Sequence, residues 1–439
     1  MAGEINRWLQ AWSDSDLEEL ERGLLEGDSD VEAFFGPQEA AEMRSLVTEA
    51  TAPTRSATGP RPAVVILPGI MGSLLQSIQG LIDLLWINPV AILRGRVSLL
   101  EMDPSGERNA DPRVHVAPTS LEMIYYTKIV LGLRKHVDLY QFPFDWRLDI
   151  RVLARHLAEA LERWAAGTDR KFVLVGHSMG GLVSRAFLAM FPEQAERRVQ
   201  QLIMLGTPNH GAPEAVRNLI EGNDMTELAD RLNGENRATQ LIRRIPSAYQ
   251  LLPAPPEMWP SELPYPTNFD LYDPTAWPID DLNPRFLEGG RAFWELLAAS
   301  DPQVPHVLIA GCNLETTIGV RVMDRGDGFD LLVDRGRIGL TGGDGTVPLV
   351  SALMPGVETY FIQHPHAKLP SHRRVIQAVR DLALGQKPDL PQELPAPSRS
   401  VQAPAPPLDI EAEAEALRAR IVAGQVSAAD LEKLHFLLG

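Results

Sequence analysis

Residues 176–180 read Gly176-His177-Ser178-Met179-Gly180, and their surroundings decide the fold. The apolar run Phe172-Val173-Leu174-Val175 comes directly before them and is typical of a buried strand. From Leu182 onwards the apolar residues have helical spacing. A glycine on each side of the serine permits a tight turn between the two elements, because a Cβ there would clash with its neighbours. The sequence therefore predicts a strand–turn–helix unit that exposes the Ser178 hydroxyl at the end of a sheet.

The same alternation of short apolar runs and longer helical patterns extends from Arg61 to about Leu384. Alternation of this kind is typical of a mostly parallel sheet flanked by helices. Together with the turn at Ser178 it predicts the α/β class and, within it, the α/β-hydrolase fold. Further buried strands are predicted at residues 63–67, 202–205 and 307–310.

Composition divides the chain into four zones. The first is an acidic helical extension, the second is the catalytic domain with two lid insertions, the third is a proline-rich linker, and the fourth is helical. The predicted boundaries are residues 1–60 for the extension, 61–385 for the catalytic domain with insertions at about 80–135 and 209–300, 386–408 for the linker, and 409–439 for the C-terminal helical segment.

Charge and cysteine content exclude several classes of function. The chain has 439 residues and a formal net charge of -17, which argues against nucleic acid as a partner. Its single cysteine, Cys312, cannot form an intramolecular disulfide, and no signal peptide or membrane-spanning run is evident. A cytoplasmic location is therefore predicted. No cofactor or metal site is expected, since zinc-ligand and phosphate-loop motifs are lacking, and the acidic loop around Asp327 is interpreted as a solvated hairpin.

A serine hydroxyl becomes a nucleophile only when a base removes its proton and an acid orients that base. In this fold the acid and then the base follow the serine along the chain. Asp344, in the glycine-rich loop 343–348, is the predicted acid, although Asp-Gly is also a common turn pair. Three histidines compete as the base. His366 is favoured because it opens the loop before the last helix, His364 remains the alternative, and His372 is interpreted as a capping or surface residue.

Catalysis of this type also needs two N–H groups directed at a developing oxyanion. One is the backbone N–H of the residue after the nucleophile, Met179. The second is expected from the loop after the first strand, Pro68-Gly69-Ile70-Met71-Gly72-Ser73, with Ile70 as the chosen donor. A plain Pro-Gly turn is the simpler interpretation of that loop.

Six motifs follow one another along the chain: Leu67-Pro68-Gly69-Ile70-Met71-Gly72-Ser73, Phe144-Asp145-Trp146-Arg147, Gly176-His177-Ser178-Met179-Gly180-Gly181, Gly206-Thr207-Pro208, Pro246-Ser247-Ala248-Tyr249-Gln250-Leu251-Leu252-Pro253 and Gly343-Asp344-Gly345-Thr346-Val347-Pro348. Together they resemble the lecithin:cholesterol acyltransferase family, which includes lysosomal phospholipase A2. The resemblance covers about residues 63–384, and it implies Ser178, Asp344 and His366 as the triad and the amides of Ile70 and Met179 as the oxyanion hole. It also implies a structural role for Asp145 and Arg147.

These features predict a serine hydrolase that cleaves a hydrophobic lipid or phospholipid ester. An acyltransferase that passes the acyl group to an alcohol is the alternative, and an interaction protein acting through its terminal helices is a third hypothesis. By the family resemblance, the segment Leu81-Ile82-Asp83-Leu84-Leu85-Trp86 is a candidate for transient membrane contact, but a half-buried lid helix is the favoured interpretation. The C-terminal helices are predicted to be held away by the linker as a docking module for a protein partner.

Overall fold

The computed structural model covers most of the chain. Parts of the predicted N-terminal extension, the first linker, the second half of the proline-rich stretch and the last four residues lie outside the described residues. The structure describes residues 14–51, 61–79, 81–301, 303–397 and 409–435.

Among the described residues the strands form three sheets. The central sheet has six strands in the order β11-β8-β7-β6-β1-β5, and every neighbouring pair in it is parallel. A three-stranded antiparallel sheet has the order β3-β2-β4, and β9 and β10 form a hairpin. The strands are β1 Ala63–Leu67, β2 Ser73–Gln79, β3 Leu81–Trp86, β4 Val116–Leu121, β5 Asp138–Gln141, β6 Phe172–His177, β7 Val199–Leu205, β8 His306–Gly311, β9 Thr316–Asp324, β10 Phe329–Gly336 and β11 Glu358–Ile362.

The four strands that the sequence predicts, β1, β6, β7 and β8, are the inner strands of the central sheet, where both faces are covered. All five residues of β1 and all six of β6 are buried, as expected of parallel strands covered on both faces. The strand order reverses between β1 and β6, and ligands of open α/β sheets bind at such a switch point. The turn after β6 and the loop after β1 therefore meet at one edge. The predicted α/β-hydrolase fold is confirmed.

The helices cover the central sheet and build the surface around it. None of those described has the length and apolar content needed to cross a bilayer. They are α1 Asp14–Glu26, α2 Ser29–Phe35, α3 Pro37–Thr51, α4 Pro89–Leu93, α5 Met123–Leu133, α6 Ile150–Ala165, α7 Met179–Met190, α8 Pro192–Arg198, α9 Pro213–Ile220, α10 Asp224–Leu232, α11 Ala238–Ile242, α12 Pro246–Tyr249, α13 Pro284–Ala298, α14 Leu349–Ala352, α15 Arg373–Ala383, α16 Ile410–Ala423 and α17 Ala428–Glu432.

The first predicted lid insertion, about residues 80–135, is packed into the catalytic domain. Its segment Leu81–Trp86 is the strand β3, not a helix, because it pairs antiparallel with β2. The favoured interpretation as a half-buried lid helix is therefore wrong, and Trp86 is fully buried and unavailable for the alternative role in membrane contact. The helix α5 is buried against α3 and α15.

The acidic N-terminal helices are attached to α5 by ion pairs. Lys128 Nζ lies 2.5 Å from Glu39 Oε2 and 2.6 Å from Glu42 Oε2, and the lysine side chain is nearly buried. Arg134 pairs with Glu21 at 3.1 Å. The negative charge of this extension is therefore partly neutralised within the chain.

The proline-rich stretch and the C-terminal helices also pack on the chain itself. Phe361 N–H donates to Pro391 O at 2.9 Å, and Asn313 Nδ2 donates to Pro395 O at 2.7 Å, so residues 386–397 cover the edge strand β11. The helix α16 packs on α10 and α4, and α17 packs on α2 and α5. The prediction that the C-terminal helices are held away from the catalytic domain is therefore wrong for residues 409–435. Their apolar stripes are too short to be stable alone and are buried here instead.

Candidate active site

Ser178 occupies the turn between β6 and α7 with a φ of 52° and a ψ of -123°. A positive φ is strained for a residue with a Cβ. The hydrogen bond from Ser178 N–H to Leu205 O, at 2.9 Å, ties this turn to the end of β7. An added Cβ at Gly176 would overlap the backbone of Gly181, and one at Gly180 would overlap that of Leu67. The close packing explains why both flanking positions are glycine.

Three of the predicted side chains form one hydrogen-bonded row. His366 Nε2 lies 2.9 Å from Ser178 Oγ, and His366 Nδ1 lies 2.7 Å from Asp344 Oδ2. His366 opens the short 3-10 helix that follows β11, and all three side chains are buried. Because a carboxylate oxygen accepts the Nδ1 proton, the Nε2 lone pair faces the serine hydroxyl.

Backbone groups hold the Asp344 carboxylate in place. Its Oδ1 accepts hydrogen bonds from Thr346 N–H at 3.0 Å and Val347 N–H at 2.7 Å, and its backbone oxygen accepts from His366 N–H at 2.8 Å. Gly206 packs behind the pair, where a Cβ would stand 3.0 Å from Asp344 Oδ2 and 3.1 Å from His366 Nδ1. The end of β7 therefore shields the acid and the base from water.

The two predicted oxyanion donors lie beside Ser178. Met179 is the first residue of α7, where helix N–H groups have no partner within the helix. Ile70 lies in a tight turn closed by a hydrogen bond from Gly72 N–H to Gly69 O at 3.1 Å, and its side chain lines the same cleft as Ser178. A Cβ at Gly69 would stand 3.0 Å from Ser178 Cβ. Glycine therefore lets this loop approach the nucleophile closely.

A buried tyrosine that sequence reasoning missed connects these parts. Tyr126 Oη accepts from Gly69 N–H at 2.7 Å and lies 2.7 Å from His177 Nδ1, while His177 Nε2 lies 3.0 Å from the His366 carbonyl oxygen. A carbonyl can only accept, so His177 carries its proton on Nε2 and the Tyr126 hydroxyl donates to Nδ1. Burial, and then the neighbouring His366, hold the pKa of His177 well below its ordinary value. This neutral network joins the loop at residues 68–72, here called the oxyanion loop, to the segment at residues 363–371 that carries His366, here called the histidine loop.

The motif Phe144-Asp145-Trp146-Arg147 holds the other end of the oxyanion loop. Arg147 Nε and one terminal nitrogen bind the two oxygens of Asp145 at 2.8 and 2.6 Å, which is the predicted structural ion pair. Phe144 N–H donates to Ser73 Oγ at 3.0 Å, and Trp146 Nε1 donates to Ser73 O at 3.3 Å. Ser73 directly follows the loop, so the motif fixes the strand into which the loop leads.

Ser178 and His366 open on a cleft of about 520 Å³, part of which is open to solvent. The second insertion supplies much of its wall through α9, α11 and α12. Glu214 and Asn218 add polar groups to one wall, and the Glu214 carboxylate accepts a hydrogen bond from Thr317 Oγ1 at 2.6 Å. The apolar lining residues are Ile70, Pro208, Ala212, Ala215, Ile242, Ala248, Leu251 and Val347.

The competing histidines lie elsewhere. The His364 ring packs against the His372 ring with centroids 4.4 Å apart, and burial lowers the pKa of His364 to about 4. His372 accepts from Arg374 N–H at 3.2 Å and caps α15, as the sequence predicts. Asp327 lies in the turn of the β9–β10 hairpin, which confirms the predicted hairpin. Among the residues that the structure describes, no group of three or more His, Cys, Asp or Glu side chains could hold a metal ion.

Fold and site together define a class: the chain is an α/β-hydrolase with a serine, histidine and aspartate in hydrogen-bonded order. A family model described as lecithin:cholesterol acyltransferase matches residues 120–283, which include the turn at Ser178. Over these residues the chain is similar to the lecithin:cholesterol acyltransferase family, in agreement with the resemblance of its motifs.

Curated relatives match only part of the chain. "Phospholipase A(1) LCAT3" of Arabidopsis thaliana is 29% identical over 134 residues, which cover 29% of this chain and 30% of the relative. "Lecithin-cholesterol acyltransferase-like 4" of the same plant is 27% identical over 155 residues, which cover 33% of this chain and 29% of the relative. An uncharacterised protein of Saccharomyces cerevisiae, YJR098C, is 24% identical over 231 residues, which cover 50% of this chain and 34% of the relative. The chain thus matches about a third of the length of each relative.

Solved structures are similar at low identity. The Tle4–Tli4 complex is 15% identical with a TM-score of 0.49, covering 74% of this chain and 98% of that chain. The mature Bacillus licheniformis lipase BlEst2 is 15% identical with a TM-score of 0.39, and the match covers 75% of this chain and 95% of the lipase. The fold assignment rests on the strand order and the turn at Ser178, not on these similarities.

Proposed function

We propose that this chain hydrolyses lipid-like esters through an acyl-enzyme on Ser178. The observation that carries the proposal is the row of Ser178, His366 and Asp344 opening on a mostly apolar cleft. The match to the family model supports it, and so does the similarity to one Arabidopsis relative, a phospholipase A(1).

The first half of the reaction forms the acyl-enzyme. Ser178 Oγ attacks the ester carbonyl carbon while His366 Nε2 takes the hydroxyl proton, and Asp344 stabilises the imidazolium through Nδ1–H. The carbonyl oxygen becomes an oxyanion, which the N–H groups of Ile70 and Met179 stabilise. The C–O bond to the alcohol then breaks, and His366 returns the proton to the departing alcohol.

The second half repeats these steps with water. His366 Nε2 takes a proton from a water molecule whose oxygen attacks the acyl carbon. The same two amides stabilise the second oxyanion. The bond to Ser178 Oγ breaks, the serine regains its proton from His366, and a carboxylic acid leaves.

The cleft supports an acyl group longer than acetyl. Most of the residues that line it are apolar, as expected of a site that holds a hydrocarbon chain. Each buried methylene contributes about 0.8 kcal/mol, or roughly a factor of four in kcat/KM.

We therefore expect kcat/KM for p-nitrophenyl esters to rise from acetate through butyrate to octanoate. Three or four buried methylenes correspond to an increase of roughly a hundredfold, at about fourfold per methylene. Ala215→Phe, which places a ring in the cleft at a partly exposed position, should reduce turnover of octanoate and spare that of acetate. Steady-state kinetics on the ester series measures both effects.

The matched control for this series is Ala189→Phe, a partly buried alanine on α7 outside the cleft lining. It should leave the order of the esters unchanged. A wild-type preference for acetate, or for peptide amides over esters, contradicts the proposed lipid-like substrate.

Acyl transfer to an alcohol is the second candidate function. The polar wall made by Glu214 and Asn218 favours it, because hydroxyl groups of an acceptor could hydrogen-bond there in place of water. The description of the matching family model names the same reaction. Adding a long-chain alcohol to the octanoate assay and quantifying ester against free acid separates transfer from hydrolysis.

The cellular location remains a prediction. Cys312 is the single cysteine of the sequence and is buried, and burial raises its pKa to about 11. Such a thiol is unreactive, which is compatible with the proposed reducing cytoplasm.

A further inference from the structure

The C-terminal segment contacts residues that support the active-site loops. Its last described residue, His435, is fully buried between two rings, with centroid distances of 5.2 Å to Tyr125 and 5.7 Å to Trp86. Both pairs are edge-to-face, and His435 Nδ1–H donates to Leu431 O at 2.9 Å. The ring is therefore fixed in position by α17 and fills the space between β3 and α5.

Trp86 connects His435 to the oxyanion loop through a hydrogen bond. Its Nε1–H donates to the carbonyl oxygen of Met71 at 3.0 Å. Met71 has a φ of 60° and directly follows Ile70, the proposed donor. A non-glycine residue in this region is strained and persists only where its surroundings impose the conformation. The Trp86 indole is one such constraint, and His435 packs on its ring.

Two more contacts reach the other active-site parts. Glu432, in the last turn of α17, pairs with Lys368 at 2.6 Å, and Lys368 is two residues from His366 in the same 3-10 helix. Tyr125, on which His435 packs, precedes Tyr126, whose hydroxyl binds both Gly69 N–H and His177. The tail thus touches the supports of the oxyanion loop and of the histidine loop.

We propose that residues 409–435 position the active site, with His435 and Glu432 as positioning residues that act through Trp86, Tyr125 and Lys368. This inference rests on the proposed function. None of the described tail residues lines the cleft at Ser178, so the segment supports the two loops and does not obstruct the substrate. Its loss should lower kcat, which depends on loop geometry, and leave KM nearly unchanged.

The test uses the full chain with His435→Ala. We expect kcat for p-nitrophenyl octanoate to fall about tenfold at unchanged KM, since small misplacements of catalytic groups cost up to about a hundredfold. Affinity for a trifluoromethyl ketone, which mimics the oxyanion, should fall by a similar factor. His435→Phe, which keeps a ring between Tyr125 and Trp86, should restore kcat to within about twofold.

Leu417→Ala is the matched control, because Leu417 is equally buried but lies on α16, which packs on α10 and α4. It should lower the melting temperature without changing kcat well below that temperature. A His435→Ala protein that melts earlier but keeps wild-type kcat and ketone affinity overturns the proposal. Failure of the wild type to hydrolyse any ester would instead refute the proposed function.

The partly exposed Glu432 provides a variant that does not disturb the core. Glu432→Gln should lower kcat two- to threefold, in keeping with the modest strength of exposed ion pairs. Exchanging the charges, with Glu432→Lys and Lys368→Glu together, should restore it. If His435→Ala does not fold, wild-type kcat in Glu432→Gln overturns the proposal by itself.

Discussion

Ester hydrolysis should fall by roughly 10³- to 10⁶-fold when Ser178 is replaced by alanine, since triad members act as a unit and their loss costs that much. Ser178 Oγ is the atom that faces His366 Nε2 at 2.9 Å, so the variant has a base but no nucleophile. Alanine keeps the Cβ of serine, and the strained turn needs no further adjustment. Steady-state hydrolysis of the octanoate ester, beside circular dichroism and the melting temperature, measures the effect.

Ser184→Ala is the control for this substitution. Ser184 is also buried on α7, but its hydroxyl donates to Gly180 O at 2.9 Å and does not face the cleft. It should keep activity within a few fold of the wild type. Near-normal turnover in a folded Ser178→Ala protein would show that another residue carries the reaction.

His366→Ala should be as damaging as the loss of the serine, whereas His364→Ala should retain most activity. The reason is geometric: His366 lies between Ser178 and Asp344, while His364 packs on the His372 ring. The two losses should not add, because neither group works without the other. Hydrolysis rates of the single and double variants check this.

The histidine assignment has a clear contrary outcome. If His364→Ala is inactive and His366→Ala is active, the base has been misassigned and the serine can still be correct. A double variant with Ser178→Ala that is far slower than either single variant would show that the two residues do not act as a unit.

The nucleophile turn could be predicted from local sequence because its requirements are local. Strand, glycine, serine, glycine and helix all fall within residues 172–190. The order of Asp344 and His366 along the chain then followed from the fold. His366 could be chosen over His364 because it opens the loop that leads from β11 into the last helix of the catalytic domain.

The supports of the site could not be predicted in the same way. Tyr126 lies in a mostly apolar helix, where a core position is the natural interpretation, and its partners are 51 and 57 residues away in sequence. Residues 81–86 form a short apolar run, which periodicity cannot assign to a strand or a helix until pairing partners are known. The available signal was His177 itself, because a buried histidine needs a hydrogen-bond partner and a hydroxyl from a distant residue can supply one.

The tail shows a related limit of sequence reasoning. Its apolar stripes indicated that it must pack on something, but the proline-rich stretch suggested distance from the catalytic domain. In the structure the first half of that stretch instead covers the edge of β11. Contacts such as that of His435 with Trp86 join residues far apart in the chain, and no local pattern specifies them.

The most direct measurement of the central claim is labelling of the native chain with a fluorophosphonate, followed by intact mass and peptide mapping. An activated serine should gain one adduct, on the peptide that contains Ser178, with loss of esterase activity in proportion. The Ser178→Ala protein should gain none. A folded wild-type protein that hydrolyses esters yet carries no adduct, or carries it on another residue, would contradict the account.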